Sequence, residues 1–95
     1  MFIALLTFSD NKDSAAQFMS GHKEWLKRGS NDRRFLLAGS QQPNLGGGIL
    51  AHDTSRDELQ NRMSDDPFVR ANVVSAKIHE ITPVKTDARL NFLLD

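Results

Sequence analysis

Short apolar segments alternate with polar ones along the chain, and four of the apolar segments have the length of β-strands. The first, Phe2–Phe8, is almost entirely apolar and ends at a polar cluster, which is typical of a buried strand. The other three are predicted at residues 34–40, 48–53 and 73–82. In the last of them apolar and polar side chains alternate, as expected for a half-buried strand.

Two stretches instead repeat their apolar residues at the three- and four-residue steps of a helix. The first helix is predicted over residues 14–28, where Ser14 and Gln17 have the spacing of a capping box and Gly29 suits the position after the last turn. Gly21 lies inside this helix, where either backbone crowding or a ligand would explain it.

The second helix is predicted over residues 55–65 and also opens with a capping box, Ser55 and Glu58. Asp66-Pro67 marks one further helix start, because Asp is a good N-cap and Pro a good first helical residue.

The resulting order, β-α-β-β-α-β, predicts an α+β fold of the ferredoxin-like type. We expect a four-stranded antiparallel sheet with the first and third strands in the centre and both helices on one face. The chain is predicted to form a single domain over residues 1–95, with a core at 1–85 and a C-terminal tail at 86–95.

Both faces of the first strand are apolar, so the sheet face that the helices leave open would expose apolar side chains to water. Phe2, Ala4 and Leu6 point to one side of the sheet, and Ile3 and Leu5 point to the other. Burying one such side chain is worth about 1.5–3 kcal/mol, so we expect the open face to be covered. A second copy of the sheet is the simplest cover and predicts a sheet-to-sheet homodimer, with the apolar tail as a possible aid.

Charge and composition exclude several classes of function. Twelve basic residues balance twelve acidic ones without bias toward either half of the chain, so there is no basic stripe for nucleic acid and no polybasic membrane anchor. The chain has no cysteine, which excludes disulfides, thiolate metal sites and cysteine nucleophiles. The apolar run at the start is too short to span a bilayer, and we expect a cytoplasmic protein.

His22 is the most interesting candidate for chemistry. It lies three residues after Met19 and four before Leu26, on or beside the buried stripe of the first helix. Imidazole titrates near neutral pH and is a natural general acid or base, but a core histidine with a satisfied hydrogen bond has the same position.

Asp66 and Ser40 are weaker candidates with simple structural alternatives. Asp66 is predicted as an N-cap, and a carboxylate fixed there could also hold an imidazole. Ser40 closes a strand, where its hydroxyl either faces a pocket or is a polar strand end. Gly46–Gly48 reads as a hairpin loop or as a lid over a pocket. His52 and His79 are scattered near strand ends, and no histidine spacing indicates a metal site.

At these residues the chain resembles the YciI-like (YCII-related) family. The matching features are the opening strand FIALLTF, the segment HKEWL with His22, FLLAGS at 35–40, the glycine-rich loop before Ile49, and Asp66-Pro67-Phe68-Val69 followed by Asn72-Val73. The resemblance covers about residues 1–85, and it depends on the order and spacing of short elements.

The resemblance implies a dimeric ferredoxin-like fold and an active site with a His–Asp pair at His22 and Asp66. Ser40 follows the matching strand and is implied as a substrate-binding residue. Members of the family are similar in fold to muconolactone isomerase, and one branch acts as a dehydrochlorinase in aromatic degradation.

We therefore expect a small-molecule enzyme of lyase or isomerase type, in which His22 moves a proton and Asp66 orients the imidazole, with no cofactor and no metal. The alternatives are a non-catalytic small-ligand-binding or stress-linked dimeric module that uses the same cleft, and an accessory domain that only dimerises. A hydrogen bond between His22 and Asp66 beside an open pocket would favour the enzyme.

Overall fold

The computed structural model describes residues 1–94 and has the predicted order of elements. The strands are β1 (Phe2–Phe8), β2 (Phe35–Gln41), β3 (Gly46–Ala51) and β4 (Val74–Glu80), and the helices are α1 (Ala15–Asn31), α2 (Arg56–Ser64) and α3 (Pro67–Arg70). Short 3-10 helices lie at Lys12–Ser14 and Ala88–Leu94. The strands form one antiparallel sheet in the order β2-β3-β1-β4, which confirms the prediction that the first and third strands are central.

The core lies between the helices and one face of this sheet. Phe2, Ala4 and Leu6 of β1 are buried there, as their alternation predicts. From the helical side the core is closed by large buried residues, namely Trp25, Leu59, Met63 and Phe68. The predicted α+β fold with its helices on one face is therefore confirmed.

Helix α1 is longer than predicted and begins differently. The Ser14 side chain makes no capping hydrogen bond, and the helix continues through Gly29 to Asn31. Gly29 is buried, and a Cβ there would overlap the ring of Phe35. The prediction that Gly29 ends the helix is thus wrong, because this glycine is required by close packing of α1 on β2.

Gly21 has a similar explanation. A Cβ at Gly21 would lie 2.9 Å from Cγ of Pro67. Of the two explanations open from the sequence, backbone crowding is the one that the structure supports, because α1 and α3 cross at this glycine.

The prediction of a glycine-rich hairpin loop is also wrong. Gly46, Gly47 and Gly48 belong to β3, where Gly46 pairs with Thr7 and Gly47 with Leu6. Gly46 has a φ of +130°, and a Cβ there would overlap the carbonyl oxygen of Leu6. These glycines therefore let β3 pair closely with β1, and the strand covers Gly46–Ala51 rather than residues 48–53.

The sheet face away from the helices is only partly covered within the chain. Leu37 is 65% exposed there, and Ile3, Leu5 and Leu50 on the same face are half-buried. The tail contacts the end of β3, where the ring of Phe92 lies 5.4 Å from that of His52 in an edge-to-face arrangement. No helix within residues 1–94 combines the length and apolar character needed to cross a membrane.

Candidate active site

A cavity of about 310 Å³ opens between α1 and the helix-facing side of the sheet. Its walls are largely apolar and include Leu6, Phe8, Met19, Leu26, Ile49 and Phe68. Its polar side chains are those of His22, Lys23 and Ser40. An apolar cavity with a few polar groups is the usual form of a small-molecule site.

His22 and Asp66 meet at the wall of this cavity. His22 Nδ1 lies 2.8 Å from Asp66 Oδ1, although the residues are 44 positions apart in sequence. Asp66 is fully buried, whereas the His22 side chain is 14% exposed. A carboxylate only accepts hydrogen bonds, so in the neutral imidazole Nδ1 carries the proton of this bond and Nε2 keeps its lone pair.

The carboxyl group of Asp66 is held in place by its own backbone. Asp66 is the N-cap of α3, and Oδ1 accepts a hydrogen bond of 3.0 Å from the Phe68 amide. Both sequence interpretations of Asp66 thus apply at once, because one oxygen caps the helix and bonds the imidazole. Oδ2 is buried and has no hydrogen-bond partner within residues 1–94.

Aromatic rings fix the plane of the His22 imidazole. The Phe68 ring lies parallel to it, with a centroid distance of 4.0 Å and an interplanar angle of 3°. Trp25, one helical turn further along α1, lies at 5.9 Å and 25°. Because Nδ1 is bonded to Asp66, Nε2 is the ring nitrogen that remains for a ligand in the cavity that His22 lines.

Two contacts hold the Trp25 ring in place. Its indole Nε1 donates a 2.8 Å hydrogen bond to the carbonyl oxygen of Arg62 in α2, and its ring packs edge-to-face on Phe35 at 5.1 Å. The position of His22 is therefore determined by three elements, α1, α2 and α3, rather than by its own helix alone.

Ser40 lies on the opposite wall of the same cavity. In the sheet it pairs with Gly47, which pairs with Leu6, so the three residues form one row on the helix-facing side. Ser40, Gly47 and Leu6 all line the cavity, and so does His22 from the helical side.

The remaining histidines lie elsewhere. His52 Nε2 is 2.9 Å from the carbonyl oxygen of Arg33, and His79 pairs with Ile3 on the outer face of the sheet. Within the part of the chain that the structure describes, no three histidine or acidic side chains are grouped as metal ligands would be.

Two carboxyl groups outside the cavity have lowered pKa values. Burial acts to raise the pKa of Asp32, but hydrogen bonds from the Arg62 side chain and the Arg34 amide, together with both positive charges, lower it below its usual value. Hydrogen bonds from Arg89 lower the pKa of the exposed Asp87. Neither group lines the cavity.

Sequence reasoning missed several parts of the site. The sequence assigned no role to Phe68 beyond its place in the Asp66-Pro67-Phe68 motif, yet its ring stacks on that of His22. Lys23 gave no signal beyond its position next to His22. The glycines of β3 line the cavity from within a strand, and an absence of side chains at consecutive strand positions is the signal that could have indicated open space.

Comparisons with known proteins give a match in fold. No family model and no curated protein sequence matches the chain. Among solved structures, a 5-chloro-2-hydroxyhydroquinone dehydrochlorinase from Burkholderia phenoliruptrix, in complex with 2,5-dihydroxybenzoquinone, superposes with a TM-score of 0.69. The alignment covers 85% of this chain and 93% of the dehydrochlorinase, at 13% sequence identity. The likeness is therefore one of fold.

Proposed function

We propose that the protein is a small-molecule enzyme of lyase or isomerase type, and that His22 and Asp66 transfer a proton within the cavity. The observation that carries this proposal is the 2.8 Å bond between His22 and the buried Asp66 at the wall of a 310 Å³ cavity. A base whose far nitrogen is held by a fixed carboxylate is the arrangement that general acid–base catalysis uses.

In the proposed reaction, His22 Nε2 takes a proton from a carbon or hydroxyl group of the substrate. The resulting imidazolium is stabilised by the charge of Asp66, which also keeps the ring in the required tautomer. The Ser40 hydroxyl on the facing wall donates a hydrogen bond to a substrate oxygen. In an isomerase, His22 then returns the proton to a different atom of the substrate. In a lyase, the electron pair of the broken bond forms a double bond, the leaving group departs with its own bonding pair, and the imidazolium releases its proton to solvent.

Two further observations support a carbonyl-bearing or aromatic-derived substrate. The chain resembles the YciI-like family at His22 and at the Asp66-Pro67-Phe68-Val69 segment. One structural neighbour is a dehydrochlorinase that was solved with a quinone ligand. The largely apolar lining of the cavity and its volume of about 310 Å³ suit a small, mostly apolar substrate.

We also propose that the working form is a homodimer in which two sheets pack face to face. The outer face carries Leu37, Ile3 and Leu50 around an apolar depression of about 280 Å³. A second copy would cover this surface with an identical one, as a two-fold interface requires.

The proposal is tested by incubating the protein with 5-chloro-2-hydroxyhydroquinone and a panel of cyclic ketones and enones in deuterated water. Loss of HCl is followed as free chloride, and proton transfer is followed as deuterium at carbon. We expect at least one compound to react, and His22→Gln and Asp66→Asn to slow it by about 100-fold or more, the usual contribution of a general base. His52→Gln, which changes a histidine outside the cavity, should react at the wild-type rate.

The enzyme and the binding module give different results in this experiment. If compounds bind beside His22 but none reacts faster than with His22→Gln, the enzyme proposal is wrong and the non-catalytic module is supported. A reaction that His22→Gln leaves unchanged would place the chemistry elsewhere.

A further inference from the structure

We propose that Lys23 makes the cavity selective for small planar ligands that carry an anionic group, such as an aromatic carboxylate. The inference rests on the proposed function only in that it concerns the same cavity. It adds the charge of the ligand and names the residue that recognises it.

The charged side chains that line the cavity are all of one sign. Lys23 lines the cavity, and none of the residues that line it is acidic. Asp66 stands behind the imidazole and contributes no surface to the wall. A ligand in this space therefore meets a cation and no opposing carboxylate, which favours a negative charge on the ligand.

Lys23 has no acidic partner within its own helix. The positions three and four residues away are occupied by Met19, Ser20, Leu26 and Lys27. Glu24 is adjacent in sequence and lines a groove on the outer side of α1 together with Lys23, but it does not line the cavity. Within residues 1–94, none of the ion pairs involves Lys23. Its ammonium group is thus available to a ligand without first breaking a salt bridge.

The position of Lys23 also indicates how the ligand is oriented. Lys23 lines both the cavity and a shallow groove on the outer side of α1, so it stands where the cavity meets solvent. His22 is 14% exposed and lies further inside. An anionic group held by Lys23 at the mouth leaves the opposite end of a planar ligand beside His22 Nε2.

The test compares two probes that differ in charge but hardly in shape, 2,5-dihydroxybenzoate and 2,5-dihydroxybenzamide. Their dissociation constants are measured by NMR titration of the full chain at low ionic strength, with the His22 ring as reporter. We expect the wild type to bind the carboxylate about fivefold more tightly than the amide, the upper range for a partly exposed ion pair. Lys23→Met should abolish this preference, and Lys23→Arg should keep it.

Lys27→Met is the matched control. Lys27 is one turn further along α1 and lines the outer groove but not the cavity, so its loss should leave the preference intact. Equal affinities for the two probes in the wild type, an unchanged preference in Lys23→Met, or no binding of either probe at millimolar concentration would each overturn the inference. Whether His22 transfers a proton is decided separately by the deuterium experiment, so the two proposals fail independently.

Discussion

The hydrogen bond to His22 Nδ1 and the nearer of the two rings stacked on the imidazole both come from the Asp66-Pro67-Phe68 segment. The N-cap carboxylate bonds Nδ1, and the aromatic residue two positions later stacks on the imidazole. A short helix of four residues and its N-cap thus supply both the carboxyl group and the aromatic ring that orient the imidazole. This arrangement explains why a cap residue is fully buried rather than at the surface.

At the scale of this residue, changes to Asp66 separate its two roles. Asp66→Asn keeps an oxygen that can accept from the Phe68 amide, so we expect the free energy of unfolding to change by less than about 1 kcal/mol. Asp66→Ala removes the cap and leaves two buried donors unpaired, which should cost about 2–4 kcal/mol. Urea unfolding of both variants at neutral pH measures the difference.

The rate of proton transfer should respond to the two Asp66 substitutions differently from the free energy of unfolding. Both variants lose the carboxylate that holds His22, so both should be slowed by about 100-fold or more. If Asp66→Asn retains full activity, the charge of Asp66 has no part in the reaction and the cap is its whole role.

At the scale of the elements, the contact of α1 with β2 depends on Gly29. Alanine has a higher helix propensity than glycine by about 1 kcal/mol, so an isolated helix would be stabilised by Gly29→Ala. In the protein the added methyl group overlaps the Phe35 ring, and overpacking of this kind costs about 1–3 kcal/mol. We expect net destabilisation in thermal unfolding. Ser30→Ala, an exposed neighbour, should stay within about 0.5 kcal/mol of the wild type.

The ion pair between Asp32 and Arg62 joins the end of α1 to α2 and gives a pH-dependent contribution. Because the pKa of Asp32 is lowered in the folded state, its charge stabilises the fold above the unfolded value near 3.8 and loses this effect as pH falls through the folded pKa. Both side chains are partly exposed, so the contribution is below about 1 kcal/mol.

Asp32→Asn should therefore be less stable than the wild type at pH 7, and the difference should shrink toward pH 2.5. Urea unfolding at both pH values measures it. A difference that stays constant or grows at low pH would contradict the assignment of this contribution to the Asp32 charge.

The two predicted capping boxes show why element boundaries were only partly predictable. Ser55 has extended backbone angles, φ −91° and ψ 165°, and forms the reciprocal bonds with Glu58. Ser14 has φ −88° and ψ 4°, because it belongs to the 3-10 turn before α1, and its side chain makes no cap bond. The sequence motif is the same type in both, but the preceding backbone decides whether the hydroxyl can reach the helix.

For the molecule as a whole, the proposed homodimer can be tested at the outer face of the sheet. Leu37 is 65% exposed in the single chain, so Leu37→Glu should barely change the fold of the protomer. In a sheet-to-sheet dimer it would bury a charge, and we expect the variant to be monomeric while the wild type is dimeric in light scattering. Val84→Glu, at a 90% exposed position outside the sheet, should remain dimeric. A monomeric wild type would contradict the proposed assembly.

The topology could be predicted from the sequence because each strand carries its own alternation and each helix its own period. The strand order then follows from the ferredoxin-like connection, and β3 and β1 are central as expected. The cavity could not be predicted in this way. Its volume depends on glycines that the loop prediction misplaced, and on how α1 lies over β3. The bond between His22 and Asp66 was expected from resemblance, since no local pattern relates residues so far apart.

The proposed proton-transfer role of His22 is tested most directly by measuring which of its ring nitrogens carries a proton. Long-range proton–nitrogen NMR above the pH at which histidine titrates makes this measurement. We predict that Nδ1 carries the proton, that Nε2 has the lone pair, and that the Nε2 signal shifts when 2,5-dihydroxybenzoquinone is added. Asp66→Asn should weaken the preference for this tautomer. A proton on Nε2 in the wild type, or an Nε2 signal that no cavity ligand changes, would contradict the proposed role of His22.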